Sequence, residues 1–300
     1  MSGIDTGEAV TRRADSVQYR WYIVAVIDVL GQKEAIRQLQ KVPLKEDNRS
    51  EITVRLHESV GKRNLVRDLA TGVVTSFRNA SSAQCVQQMP PETKGQVGRC
   101  LHCGLKTYSF SDTVVLYAPL MTPNKDPAVW DVYRIMENCA WTLLGSVSDS
   151  VPIRGAIEIG TGIECEGDEL YGPGFLAAFE LQERIAQYPR IVLGKELGRW
   201  LNLQMSMPGD DRVAQDVRAH AEFCRNLANI DQDGVPFLDF LGEGIRKKIG
   251  SGSNRDLVQK GLDFARKEHQ RFVEAGDHKL ALRYARLRQY YEARAGDWVL

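Results

Sequence analysis

Apolar residues come in short bursts along this chain, and the polar residues between them mark where each element stops. Tyr22 to Ile27 is an unbroken apolar run ending at Asp28 and Gly31, which predicts a buried strand over residues 20–28. From Gln32 to Gln40, Ala35, Ile36 and Leu39 recur at helical spacing, and Pro43 stops that helix. Glu51 to Arg78 carries two patterns. Ile52, Val54 and Leu56 alternate as in a strand, while Leu56, Val60, Leu65, Val66, Leu69 and Val73 follow a helical period. The segment reads mostly as helix, weakened by Gly61 and Gly72. Asn79 to Arg99, with Pro90-Pro91, is a loop by composition.

Gly104–Phe110 and Thr113–Pro119 predict a hairpin with Ser111-Asp112 at its tip. Ala128–Val147 is an amphipathic helix, Ile153–Gly160 a strand, Thr161–Gly172 a glycine- and acid-rich stretch, Gly174–Gln187 a helix and Ile191–Leu193 a short strand. This order fits an α+β domain in which helices cover one face of a mixed, largely antiparallel sheet. After Met207 the character changes. Asp210–Ile230 and Arg255–Glu292 are charged and helical, separated by the apolar patch Val235–Leu241 and a loop at Gly250–Ser253. The chain thus divides into a polar segment (1–19), a core domain (20–206) and a helical C-terminal extension (207–300), which packs on the core or on a second subunit.

Composition narrows the classes. Lys plus Arg equal Asp plus Glu, 39 each, so no global charge points to nucleic acid or to an acidic membrane. Met1 to Arg20 lacks the apolar core of a signal peptide, and the apolar stretches are too short to span a bilayer. A soluble cytoplasmic protein is expected. Cys100-Leu101-His102-Cys103, with Cys85 nearby, hints at zinc, but no second pair completes a tetrahedral set, so ordinary reduced cysteines are expected.

Two aspartates then stand out, each where an apolar run breaks. Asp28 ends the first strand, and Asp112 precedes Val114-Val115-Leu116-Tyr117. A carboxylate at the edge of a sheet core is costly unless its charge is compensated, and two at neighbouring strand ends suit Mg²⁺ or Mn²⁺. Each alone reads equally as a turn residue. Together they suggest phosphoryl-transfer chemistry.

Four pieces in order, Ile27-Asp28-Val29-Leu30-Gly31, Phe110-Ser111-Asp112, Ile153-Arg154-Gly155-Ala156-Ile157-Glu158-Ile159-Gly160 and Tyr171-Gly172-Pro173, resemble class III nucleotidyl cyclases over roughly residues 20–195. The resemblance implies a ferredoxin-like, palm-type domain. It also implies two Mn²⁺ or Mg²⁺ ions held by Asp28, Asp112 and the Val29 carbonyl, with phosphates bound by the turn Leu30-Gly31-Gln32 and by Arg154. A homodimer with interfacial active sites is implied as well.

The chain departs from the family pattern at informative places. Tyr108 stands where purine cyclases carry a base-reading Lys; it either narrows the pocket for a smaller base or simply packs on its strand neighbours. Glu169, aligned with the second base-reading position, either accepts from a base or solvates its loop. The usual Asn and Arg of the following helix are Leu176 and Glu180 here. Arg184, one turn on, reaches the phosphates or pairs with Glu180.

Tyr108, the Gly172–Glu183 segment, Tyr188-Pro189-Arg190-Ile191 and the helical tail most resemble the Pycsar pyrimidine cyclases of bacterial anti-phage defence. That resemblance implies a pyrimidine nucleoside triphosphate as substrate, UTP before CTP. It also implies a cyclic nucleotide product that activates a separate effector protein. An adenylate or guanylate cyclase, a cyclase-like module without turnover, and a polymerase-palm relative are the competing readings, the last disfavoured by the neutral charge.

Overall fold

The computed structural model describes residues 19–32, 49–81, 104–247 and 255–298. Its centre is β1 (Tyr19–Val29), buried on both sides from Tyr22 onward, as a near-continuous apolar run requires of a central strand. The described chain continues through α1 (Arg49–Ser81), β2 (Lys106–Phe110), β3 (Thr113–Pro119), α2 (Val129–Ser148) and β4 (Ile153–Glu164). Then come β5 (Leu170–Tyr171), α3 (Pro173–Ile185), β6 (Ile191–Leu193), α4 (Lys195–Met205) and α5 (Arg212–Asn226). The last elements are β7 (Ala228–Ile230), β8 (Pro236–Leu238), α6 (Glu243–Arg246), α7 (Arg255–Glu274) and α8 (His278–Trp298).

The strands form one open, mixed sheet in the order β2-β3-β1-β4-β6-β8-β7, with β5 paired to β4. Every pairing is antiparallel except β4 with β6. Alternation along β1 sends Ile23, Ala25, Ile27 and Val29 into the large core shared with α1, α2, α7 and α8. Tyr22, Val24 and Val26 point the other way, onto Ala178, Phe175 and Phe179 of α3. Helices therefore cover both faces, not one as the element order suggested. The apolar stripe of α3 is aromatic and needs its own sheet surface.

Two glycines let α3 approach that surface. A Cβ on Gly160 of β4 would lie 2.4 Å from the Gly174 Cα, so helix and strand backbones meet where only glycine fits. Glu158, a buried acid of β4, fixes the next helix. Its Oε1 accepts from Leu197 N (3.0 Å), which places a carboxylate over the N-terminal turn of α4.

The C-terminal part is not wholly helical. β7 and β8 extend the main sheet beside β6. Asp239, just past β8, accepts from Tyr290 Oη (2.6 Å) and from the Arg294 guanidinium, and Trp298 Nε1 donates to the Leu241 carbonyl (2.9 Å). These bonds hold α8 against the core, while α7 packs on α2. Among the described residues, no helix is long and apolar enough to cross a membrane.

Candidate active site

The ends of β1, β3 and β4 meet at one corner. Asp28 lies opposite Thr113 of β3 on one side and opposite Arg154 of β4 on the other. The Val29 N–H donates to the Asp112 carbonyl at 3.4 Å, so both sequence-derived aspartates sit at the same end of neighbouring strands. Asp28 is nearly buried while Asp112 is half-exposed in the hairpin turn, after Ser111 with φ 51°.

The Asp28 carboxylate is engaged. Arg154 donates to its Oδ2 from Nε (3.3 Å) and Nη2 (3.2 Å), with side-chain exposures of only 13% and 11% for the pair. A hydrogen-bonded fork of this kind compensates a charge that would be costly alone. The Gln182 amide of α3 closes the group; with its oxygen towards the guanidinium, it accepts from Arg154 Nε at 2.6 Å. Gln182 was not singled out from sequence. Its signal was its place on the inner stripe of α3, one turn from Ala178.

Beyond Asp28 the chain turns at Gly31, whose φ of +84° suits glycine. Leu30 N donates to the Pro152 carbonyl (2.9 Å), and Gln32 is buried, accepting from Ser59 Oγ at 2.7 Å. The helix expected over Gln32–Gln40 lies, past Gln32, outside the described residues, as do Cys85, Cys100 and Cys103. Among the described residues, no group of three or more His, Cys, Asp or Glu converges as a metal cluster.

A cavity of about 880 Å³ opens at this corner, lined by Asp28, Val29, Leu30, Gly31 and Arg154 from the strand ends. That volume suits a nucleotide-sized ligand. The opposite wall comes from α7 and α8. Gln32, Tyr108, Asp112, Glu169 and Arg184 are not among its lining residues. Comparison with protein-family models, curated proteins and solved structures gives no match.

Tyr108 belongs to a different neighbourhood. Its ring contacts Phe110 and Tyr117 at centroid distances of 6.3 and 6.1 Å, and its hydroxyl donates to the Leu170 carbonyl (3.2 Å). Burial, then the charge of Glu169, pushes its pKa up to about 12, and burial does the same for Tyr22. Glu169 itself is exposed. Lys106, two residues before Tyr108 on the same strand face, pairs with Glu164 (2.7 Å) and Asp168 (2.8 Å); those hydrogen bonds raise its pKa. Arg184 is 72% exposed and lies 3.7 Å from Glu180, the pairing its helical spacing allowed.

The tyrosines give a direct check on this packing. A phenol with a pKa raised from 10 to about 12 stabilises the fold fully below pH 10, and that contribution is lost as pH rises towards 12. Absorbance titration at 295 nm should show a tyrosine fraction ionising near pH 12 in intact protein, reduced in Tyr108→Phe. Uniform ionisation near pH 10 would mean the cluster is open to water.

Proposed function

We propose that this chain is a metal-dependent cyclase that converts a pyrimidine nucleoside triphosphate, UTP before CTP, to its 3′,5′-cyclic monophosphate and pyrophosphate. The observation that carries the reading is that Asp28, at the end of β1, lines a nucleotide-sized cavity, while Asp112 lies in the adjoining hairpin turn, its carbonyl bonded to Val29 N. The run β1-α1-β2-β3-α2-β4 with spatial order β2-β3-β1-β4 supports a ferredoxin-like, palm-type domain of the class III kind.

The donor set fits hard divalent cations: two carboxylates and, from Val29, a backbone carbonyl. Mn²⁺ or Mg²⁺ ions held by Asp28, Asp112 and Val29 would supply a more acidic 3′-hydroxyl and neutralise phosphate charge. For Asp28 Oδ2 to take such a ligand, the Arg154 guanidinium must leave it, which frees Arg154 to donate to a phosphate oxygen. Tyr108, packed on Phe110 and Tyr117 outside the cavity lining, takes the strand-packing role, so the pyrimidine preference rests on the resemblance and not on a contact of Tyr108 with the cavity. Exposed Phe110, Tyr171 and Leu176 support a homodimer. The product would act on a separate effector in anti-phage signalling.

A second reading, a nucleotide-binding module without turnover, has one observation in its favour: Arg154 already occupies Asp28. Incubating the chain with Mn²⁺ and each of ATP, GTP, CTP and UTP separates the two. Cyclic UMP as the main product is expected. Cyclic AMP or cyclic GMP would overturn the base assignment, and no product from any nucleotide would favour the binding module.

A further inference from the structure

The far wall of the cavity holds charge that the strand ends do not explain. Lys62 of α1, Arg154 of β4, Lys260, Lys267 and Arg271 of α7, and Arg283 of α8 all line it, against Asp28, Asp263 and Glu268. Six cations face three acids in a chain whose net charge is zero, so positive charge is concentrated here. Two of those acids are already paired, Asp28 with Arg154 and Glu268 with Arg271 (2.5 Å). Asp263 accepts from Gln259 Nε2 (2.9 Å).

The sequence spacing shows how α7 builds this wall. Positions 260, 267 and 271 are separated by seven and four residues, which returns each side chain to one stripe of the helix. Beside them Phe264 is buried, fixing which stripe faces the cavity. Lys260 and Lys267 make no ion pair with any described residue. Arg283 donates to Gln187 Oε1 (3.3 Å), and its pKa is lowered by burial and then by the nearby charge of Arg154. Arg283 and Arg154 line the same cavity, and the single carboxylate paired with Arg154 leaves room for a further anion between the two guanidiniums.

We propose that the C-terminal helical pair is part of the substrate site, with Lys260, Lys267 and Arg283 binding a polyphosphate against Arg154 in the same protomer. This inference rests on the nucleotide-cyclase reading for its ligand, the triphosphate of the substrate. It assigns the tail a role that its charged, helical composition alone did not reveal.

The test uses inorganic tripolyphosphate as probe, measured by isothermal titration calorimetry on the full-length chain. Lys260→Gln/Lys267→Gln and Arg283→Gln are expected to weaken binding by tenfold or more each, with Lys279→Gln, outside the cavity, as the charge control. Both lysines are exposed and make no ion pair with any described residue, so their variants should keep the fold. Wild-type binding by both cavity variants, or equal weakening by Lys279→Gln, would overturn the proposal. If the wild type binds tripolyphosphate through these residues yet makes no cyclic nucleotide, the cyclase reading fails and the anion site stands. If it makes cyclic nucleotide with the same KM in all variants, the anion site alone fails.

Discussion

Asp112→Ala should lower cyclase turnover by at least about 10³-fold while leaving the thermal midpoint nearly unchanged. A metal-bound carboxylate supports several kcal/mol of charge stabilisation in the transition state, and each 1.36 kcal/mol is worth about tenfold in rate. Asp112 is half-exposed at a hairpin tip, so its removal leaves no buried partner behind. Asp28→Ala should lose as much activity and also destabilise the fold, by about 3 kcal/mol, because it strands the nearly buried Arg154 guanidinium. Asp28→Asn keeps the shape and a hydrogen-bond acceptor, and should recover much of that stability without recovering turnover. Chemical denaturation alongside product assays separates the two effects. Near-normal turnover in either alanine variant would remove that carboxylate from the chemistry.

The second large effect lies away from the cavity. Arg190 is 1% exposed and is among the largest fully buried side chains. It pairs with Asp231, and its Nη2 donates to Asp233 at 2.7 Å and to the Ile185 carbonyl at 3.0 Å. The guanidinium also lies over the Tyr188 ring, 4.6 Å from its centroid, and the Tyr188 hydroxyl donates to Asp231. It thus ties the β7–β8 turn to the end of α3. Arg190→Ala should cost about 3–5 kcal/mol, since it leaves a buried void and strips two acids of their cation. Arg190→Met, which refills the volume, should cost less, because Asp231 and Asp233 are partly hydrated already.

The same pair carries a pH signature. Hydrogen bonding to Arg190 holds the Asp233 carboxyl below the usual carboxylate range. Its folded pKa is therefore depressed relative to the unfolded chain. The stabilisation is fully present above the unfolded value near 4 and is lost as pH falls through the folded one. Urea unfolding across pH 2 to 6 should show this acid-side slope in the wild type and a weaker one in Arg190→Met. Equal slopes would mean that Asp233 gains nothing from Arg190.

Most long elements were legible because their periods are unambiguous. The apolar run of β1, the hairpin around Asp112 and the α2 stripe needed only local pattern. α1 is continuous from Arg49 to Ser81 despite Gly61 and Gly72, so the helical recurrence outweighed the alternation at Ile52, Val54 and Leu56. β7 was absorbed into the helical stretch Asp210–Ile230, and β8, which opens on Pro236, registered only as part of the apolar patch Val235–Leu241. β4 runs to Glu164, past the Gly160 expected from the apolar pattern, because its pairing with the start of β1 prolongs it.

The candidate site was legible only along the chain. Asp28, Asp112 and Arg154 each stood out, but that Arg154 lies directly across from Asp28 is a matter of strand register, which no spacing within β1 or β4 encodes. The cavity wall was less visible still. Lys260, Lys267 and Arg271 look like an ordinary solvated stripe until α7 is folded back against the strand ends.

The central claim is that these strand ends cyclise a pyrimidine nucleotide, and the most direct measurement is product identity. With UTP and Mn²⁺, mass spectrometry and phosphorus NMR should find cyclic UMP and pyrophosphate in equal amounts, and neither with Asp112→Ala. Unchanged UTP with folded wild-type protein, or UDP with inorganic phosphate in their place, would contradict it.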